Sequence, residues 1–194
     1  MKRNYHIVYV DPFISATKIS AYISSKTNFE TVAVGHLFMS KITANSGLDS
    51  QIKAGKIPYY SVFEEVILEE IKKTEKGLII PDYPRFLDSL SDLDKFIPKL
   101  RENDLLLSSI LYIQNSDIQK TIDESARLRQ KNILPGTIEN AIKGQLMQSE
   151  IIKLVSSKYK VNYLKSNTLI EVPEETKLQI DQYLHVNQDN SQPQ

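Results

Sequence analysis

The chain has 194 residues, with 24 Lys and Arg against 24 Asp and Glu, no Cys, no Trp and six Gly. At 41% apolar and 25% charged residues it has the makeup of one folded domain able to bury a core, not of a disordered chain. Balanced charge argues against a general binder of nucleic acid or anionic membrane, which needs clustered cations; the lack of cysteine excludes disulfides, thiolate catalysis and cysteine-ligated zinc or iron–sulfur sites.

Met1-Lys2-Arg3 has the charge of a signal-peptide start, but the apolar run behind it, Ile7 to Val10, is too short for an h-region and ends in Asp11-Pro12. No window approaches the roughly 18 uninterrupted apolar residues of a membrane-crossing helix. A cytoplasmic chain is the expectation. Tyr5 to Val10, β-branched and aromatic, predicts a first strand. A helix over Ala16 to Lys26, a strand over Phe29 to Val34, and a helix carrying Leu37, Phe38 and Ile42 on one face follow. Leu48 to Ala54 and Tyr60 to Lys73 predict two more helices, separated by Gly55 and Pro58; Val62, Phe63, Val66, Ile67 and Ile71 make the stripe of the second.

Gly77 to Pro81 predicts a third strand, and Ser108 to Ile113 a fourth. Between them Leu87, Leu90, Leu93, Phe96 and Ile97 read as core packing. Asn115, Ser116 and Asp117 are each candidate N-caps for a helix to Arg129. Ile138 to Tyr159 predicts a long helix, Val161 to Leu164 a fifth strand and Pro173 to Leu184 a closing helix. Residues 1–186 then form one domain, with a polar tail over 187–194. Strands alternating with helices require crossovers, hence a five-stranded parallel sheet in an α/β fold with helices on both faces. Ligands of such sheets sit at the carboxyl ends of the strands, in the loops after Val10, Val34, Pro81 and Ile113.

Those loops carry an ordered set of motifs. Gly35-His36-Leu37 is followed by Gly47-Leu48 and Ile52, then by Lys53-Ala54-Gly55-Lys56-Ile57-Pro58, and after the amphipathic helix by Gly77-Leu78-Ile79-Ile80-Pro81-Asp82-Tyr83-Pro84-Arg85. In order and spacing this resembles the adenylate kinases, from the first strand to the closing helix. In that family a Gly-Asp-Leu-Leu-Arg helix start, a Gly-Lys-Leu-Val-Pro turn and an Asp-Gly-Phe-Pro-Arg segment build the nucleoside-monophosphate pocket. The resemblance implies a helical monophosphate-binding insertion over about 35–75, with Gly35, Lys56, Ile57, Pro58, Arg85 and Ser89 as its nucleotide-contacting positions, and a lid reduced to about 130–136. It also implies Arg85 on the monophosphate and Arg127 near the transferred phosphoryl group.

A phosphate-binding loop needs glycines, so that backbone N–H groups wrap the phosphates, and a lysine to reach them. In its place stands Asp11-Pro12-Phe13-Ile14-Ser15-Ala16-Thr17-Lys18-Ile19. Asp11 and Ala16 replace the framing glycines, Ile14 an internal one, and Thr17 occupies the lysine position. Lys18 comes one residue late, about 100° round a helix. The family's Thr and Arg of the first pocket helix map to Val34 and to Met39 or Ser40; Gly144-Gln145 stands where a further arginine is expected; Pro81-Asp82 replaces Asp-Gly, and Ser89 an adenine-reading amide. Lys131 is the one cation of the shortened lid.

Three functions compete. A catalytically silent protein with an adenylate-kinase-like fold, kept as a binding, regulatory or structural subunit, leads, because a fold can outlast its site; a protein partner or a second copy of the chain would then be the target. A divergent nucleoside-monophosphate kinase using Mg-ATP, with Lys18, Arg85 and Arg127 neutralising the moving phosphoryl group, is second. Binding of AMP, ATP or another anion without transfer, by Arg85, Lys56 and helix starts, is third. The kinase requires Lys18 to point into the loop and Arg85 and Arg127 to converge there. The silent protein requires that space to be filled by Phe13 or Ile14 and an apolar surface to be exposed elsewhere. Plainer readings make Arg85 a sheet-end arginine held by Asp82 or Asp88 and Arg127 part of a solvated helix face. His6, His36 and His185 are not spaced as ligands, so no metal site is expected. Ser15 and Ser61 lack a paired histidine, and the ten tyrosines are spread along the chain.

Overall fold

Arg3–Val10 forms β1, and its side chains alternate between two cores. The computed structural model describes residues 2–55, 59–83, 90–129, 136–166 and 171–189. From β1 the chain runs through α1 (Ala16–Lys26), β2 (Phe29–Thr31), α2 (Val34–Ala44), α3 (Ser46–Lys53), α4 (Tyr59–Ile71) and β3 (Gly77–Pro81). It continues through α5 (Leu90–Glu102), β4 (Leu105–Asn115), α6 (Ile118–Arg129), α7 (Thr137–Ser156), β5 (Val161–Ser166) and α8 (Glu174–Asp189). All strand pairs are parallel, in the order β2-β3-β1-β4-β5. The five-stranded parallel α/β architecture expected from the sequence is the one observed.

Tyr5, Ile7 and Tyr9 point to the face covered by α4, α5 and α7, where they meet Ile67, Ile71, Leu93, Phe96, Leu100, Ile151 and Val155. Val8 and Val10 point the other way, with Ile79, Leu111 and Ile113, against Ile19 and Ile23 of α1 and Ile180, Tyr183 and Leu184 of α8. A sheet buried on both faces explains why β1, β3 and β4 read as continuous apolar runs. Removing roughly 25 cal/mol per Å² of apolar surface from water on both sides makes this sandwich the main stabilising element.

The register contains one irregularity. Tyr5 pairs with Leu107 and His6 with Ser109, so Ser108 is an extra residue in β4. Because side chains alternate, that one-residue insertion resets which face each later residue of β4 meets. It places Ser109 beside His6 and Tyr112 beside Tyr9. A smaller third core, Phe38, Leu48 and Val62 with the Phe38 and Phe63 rings stacked at 4.2 Å, holds α2, α3 and α4 together.

Several boundaries differ from the sequence pattern. Val34 opens α2 instead of closing β2: the last ladder bond runs from Val32 N–H to the Ile79 carbonyl, after which Val34 N–H turns back to the Val32 carbonyl. β4 extends to Asn115, so the N-cap of α6 is Asp117, whose Oδ1 accepts from Lys120 N–H at 2.9 Å. α8 continues to Asp189, into the segment expected to be a tail. Of the shortened lid, expected over about 130–136, residues 130–135 lie outside the described residues.

Candidate functional site

β1 ends at Val10 and α1 begins at Ala16, so Asp11 to Ser15 make the connection at the carboxyl edge of the sheet. Pro12 and Phe13 are the central residues of a tight turn closed by Ile14 N–H donating to the Asp11 carbonyl at 3.1 Å. Phe13 has φ 67°. Proline followed by a positive φ is the pattern of a type II turn, whose third position ordinarily holds glycine. A side chain there costs about 1–2 kcal/mol, so the surroundings must hold it. Ser15 then caps α1, its Oγ accepting from Lys18 N–H at 3.3 Å.

What holds the turn is Asp11, which is 0% exposed. Its Oδ1 accepts from the Tyr112 hydroxyl; its Oδ2 accepts from Asn115 N–H at 2.9 Å and from Gln145 Nε2 at 2.7 Å. Asp11 N–H donates to the Ile113 carbonyl, 3.0 Å. Gln145 Nε2 also reaches the Asn115 carbonyl, 3.1 Å, and Asn115 Nδ2 reaches the Pro12 carbonyl, 3.2 Å. Asn115 Oδ1 in turn accepts from Asp117 N–H and Thr121 Oγ1. One carboxylate thereby joins β1, β4 and α7. Burial, and then this bond to Asp11, pushes the Tyr112 phenol well above its ordinary pKa.

Asp82 makes a second clasp. At φ 52°, its N–H donates to the Val8 carbonyl at 2.8 Å and its Oδ1 accepts from Val10 N–H at 3.2 Å. Together Asp11 and Asp82 line a groove of about 180 Å³ with Val10, Pro12, Phe13, Ile14, Gly144, Met147 and Gln148. No Lys or Arg is among those residues.

The predicted site residues do not converge among the described residues. Lys18 is exposed and lines not the Asp11–Asp82 groove but a separate crevice of about 10 Å³ with Ile14, Ser15, Ile19, Ser166, Glu171 and Val172. Ala16 is half-buried in the first turn of α1, and Thr17 is exposed beside it. Gly35 is exposed near the start of α2, with nothing within 4 Å of where a Cβ would stand. Arg127 is exposed on α6, in an open surface depression with Asp117, Gln119, Lys120, Asp123 and Glu124. Lys56, Ile57, Pro58, Arg85 and Ser89 lie outside the described residues. Ile14 fills its place in the core at 7% exposure, packed with the α1 and α8 side chains.

Sequence reasoning missed a buried polar cluster on the α1/α8 face. His6 Nδ1 lies 2.6 Å from Ser109 Oγ and 3.3 Å from the Tyr183 hydroxyl, and that hydroxyl is hydrogen-bonded to Ser109. The imidazole also lies against the Phe29 ring, 4.8 Å between centroids. Burial lowers the His6 pKa to about 4, so the ring is neutral. With His6, Ser109 and Tyr183 all under 8% exposed, this is a pairing of buried polar groups, closed to a substrate. No local motif could have disclosed it, because its members stand on β1, β4 and α8.

Among the described residues no group of three or more His, Cys, Asp or Glu is placed to hold a metal ion, and no helix is long and apolar enough to cross a membrane. No family model matches the chain, and no curated protein matches it in sequence.

Proposed function

We propose that this protein has an adenylate-kinase-like fold without phosphoryl-transfer activity, and that it serves as a binding, regulatory or structural subunit. The observation that carries the reading is Asp11. A nucleotide-cradling loop offers its N–H groups and a cation to phosphate. Here the corresponding turn offers a carboxylate that is already bonded to Tyr112, Asn115 and Gln145, and the groove beside it is lined by Asp82 as well.

The residues present do not fit Mg-ATP at this loop. Ile14 N–H is used inside the turn, Asn115 N–H is used by Asp11, and Val10 N–H is used by Asp82. A phosphate placed there would meet acidic side chains, and like charges about 4 Å apart at a protein surface repel by on the order of 4 kcal/mol. Phosphoryl transfer depends on cations gathered round the moving group, whereas Lys18 and Arg127 line separate crevices.

The test is a phosphoryl-transfer assay of the purified chain with Mg-ATP and a panel of nucleoside monophosphates, with titration calorimetry of ATP and AMP on the same sample. The expected result is no turnover above the protein-free rate and no heat of binding. Turnover lost in Arg85→Ala or Lys18→Ala would overturn the proposal in favour of a divergent kinase. Nucleotide heat without turnover would replace the subunit role with anion binding.

A further inference from the structure

The outer face of α7 combines exposed apolar side chains with charges of a particular order. Ile142 is 46% exposed, Leu146 62%, Met147 40% and Leu154 49%. The opposite side of the same helix is in the core through Ile151, Ile152 and Val155 and is fastened to the Asp11 turn through Gln145. The outer residues are thus not exposed because the helix is loosely docked. Between them stand Glu139, Lys143, Glu150 and Lys153, all exposed and none in an ion pair among the described residues.

At about 100° per residue, Glu139, Lys143, Leu146, Glu150 and Lys153 fall on one stripe, spaced four, three, four and three. That spacing keeps all five on one face of the helix, turned away from the core side that carries Ile151, Ile152 and Val155. The charge order along the stripe is negative, positive, apolar, negative, positive. Laid beside an identical helix in parallel register, every charge meets its like. Laid antiparallel, with the two-fold axis at Leu146, each Glu139 is level with the partner's Lys153 and each Lys143 stands within one residue, about 1.5 Å of rise, of the partner's Glu150, while Leu146 meets its counterpart at the centre. The same charge pattern is therefore self-complementary in one orientation and self-repelling in the other.

We infer that this face is a homodimer interface: α7 pairs antiparallel with α7 of a second copy of the chain, giving a two-fold, isologous contact of the kind that closes on itself. The inference stands apart from the nucleotide question, since it requires nothing of the Asp11 turn beyond the firm seating of α7. The apolar centre supplies area and the four cross-pairs supply orientation, as charges commonly do at interfaces. Because these pairs lie at the surface, association weakens as salt rises.

Sedimentation equilibrium of the full chain across micromolar to millimolar concentrations is the experiment. The expected outcome is a monomer–dimer equilibrium that Leu146→Asp shifts to monomer, with an unchanged circular dichroism spectrum. Lys143→Glu alone and Glu150→Lys alone each replace two attractions by two repulsions and lower the association constant by about tenfold or more. Mixing those two variants restores dimer, now as a heterodimer, because each repulsive pair becomes attractive. A monomer at every concentration would overturn the inference and leave the face to a different protein. So would a dimer indifferent to Leu146→Asp, or variants that fail to recover on mixing.

Discussion

Gln145 Nε2 on α7 donates to Asp11 Oδ2 at 2.7 Å across the carboxyl edge of the sheet. The residue that follows β1 is thereby fastened to a helix residue 134 positions further along the chain. The bond matters because Asp11 is fully buried and its two oxygens already receive Tyr112 and Asn115. Removing the carboxylate strands the buried Tyr112 and Asn115 donors and takes one of two partners from Gln145, and each buried unsatisfied group costs about 1–3 kcal/mol, partly recovered by relaxation. Asp11→Ala is therefore expected to lower unfolding free energy by about 3 kcal/mol, or roughly 6–12 °C in Tm for a chain of this size. Gln145→Ala, which leaves two of the three donors in place, is expected to cost about 1 kcal/mol. Urea unfolding followed by circular dichroism measures both; a loss under about 1 kcal/mol for Asp11→Ala would show that the carboxylate is not what holds the turn.

The seating of α7 depends on a close approach. A Cβ at Gly144 would stand 3.0 Å from Pro12 Cγ. Replacing a mid-helix glycine by alanine ordinarily stabilises by about 1 kcal/mol, but here the contact opposes that gain. Gly144→Ala is expected to be within about 0.5 kcal/mol of neutral in the native chain. The same change in a Pro12→Ala background is expected to stabilise by about 1 kcal/mol, because the opposing ring is gone. A double-mutant cycle isolates this coupling, and its absence would mean that the contact imposes no constraint.

The order of elements was legible because the sheet is buried on both faces, so β1, β3 and β4 stand out as short apolar runs between helical stripes. Where local pattern and tertiary docking disagree, docking decided. Val32 and Val34 have the alternation of a strand, yet Val34 begins a helix, because its burial comes from the core beneath α4 and not from a ladder partner. The departure of Asp11 to Lys18 from a phosphate-binding loop could be read directly from residue types. The replacement function of Asp11 could not, since Tyr112, Asn115 and Gln145 meet it only once β4 and α7 are in place. Nor does any local signal give Phe13 a positive φ, which follows from the turn that Asp11 secures.

Two tyrosines on β1 make an opposite prediction to a third on α8. Tyr5 and Tyr9 are 0% exposed, and neither hydroxyl has a hydrogen-bond partner among the described residues; burial pushes both phenols well above their ordinary pKa. Tyr5→Phe and Tyr9→Phe remove a stranded polar group without changing the ring, so each is expected to stabilise by about 1 kcal/mol. Tyr183 differs, since its hydroxyl is bonded to Ser109, and Tyr183→Phe is expected to destabilise by about 1 kcal/mol. Chemical denaturation of the three variants reads the contrast. Destabilisation by Tyr5→Phe or Tyr9→Phe would mean that those hydroxyls are satisfied in solution.

The His6 cluster gives stability a pH dependence whose sign is fixed. Burial lowers the imidazole pKa from 6.5 to about 4 in the folded chain, so between those values the unfolded chain binds a proton that the folded chain does not. Stability from this group is thus fully present above pH 6.5 and is lost as pH falls towards 4. A displacement of this size corresponds to about 3 kcal/mol in all, with a slope approaching 1.4 kcal/mol per pH unit in mid-window. That window lies mostly above the ordinary range for carboxylates, which keeps the histidine contribution separable. Unfolding free energy measured by urea between pH 4 and 8 is expected to fall with this profile in the native chain. His6→Phe is expected to flatten it, at the cost of a lower plateau near neutrality because Ser109 and Tyr183 lose a hydrogen-bond partner. A native profile that is flat from pH 8 to 5 would mean that the folded chain protonates His6 without penalty, and that the cluster between β1, β4 and α8 is open to water.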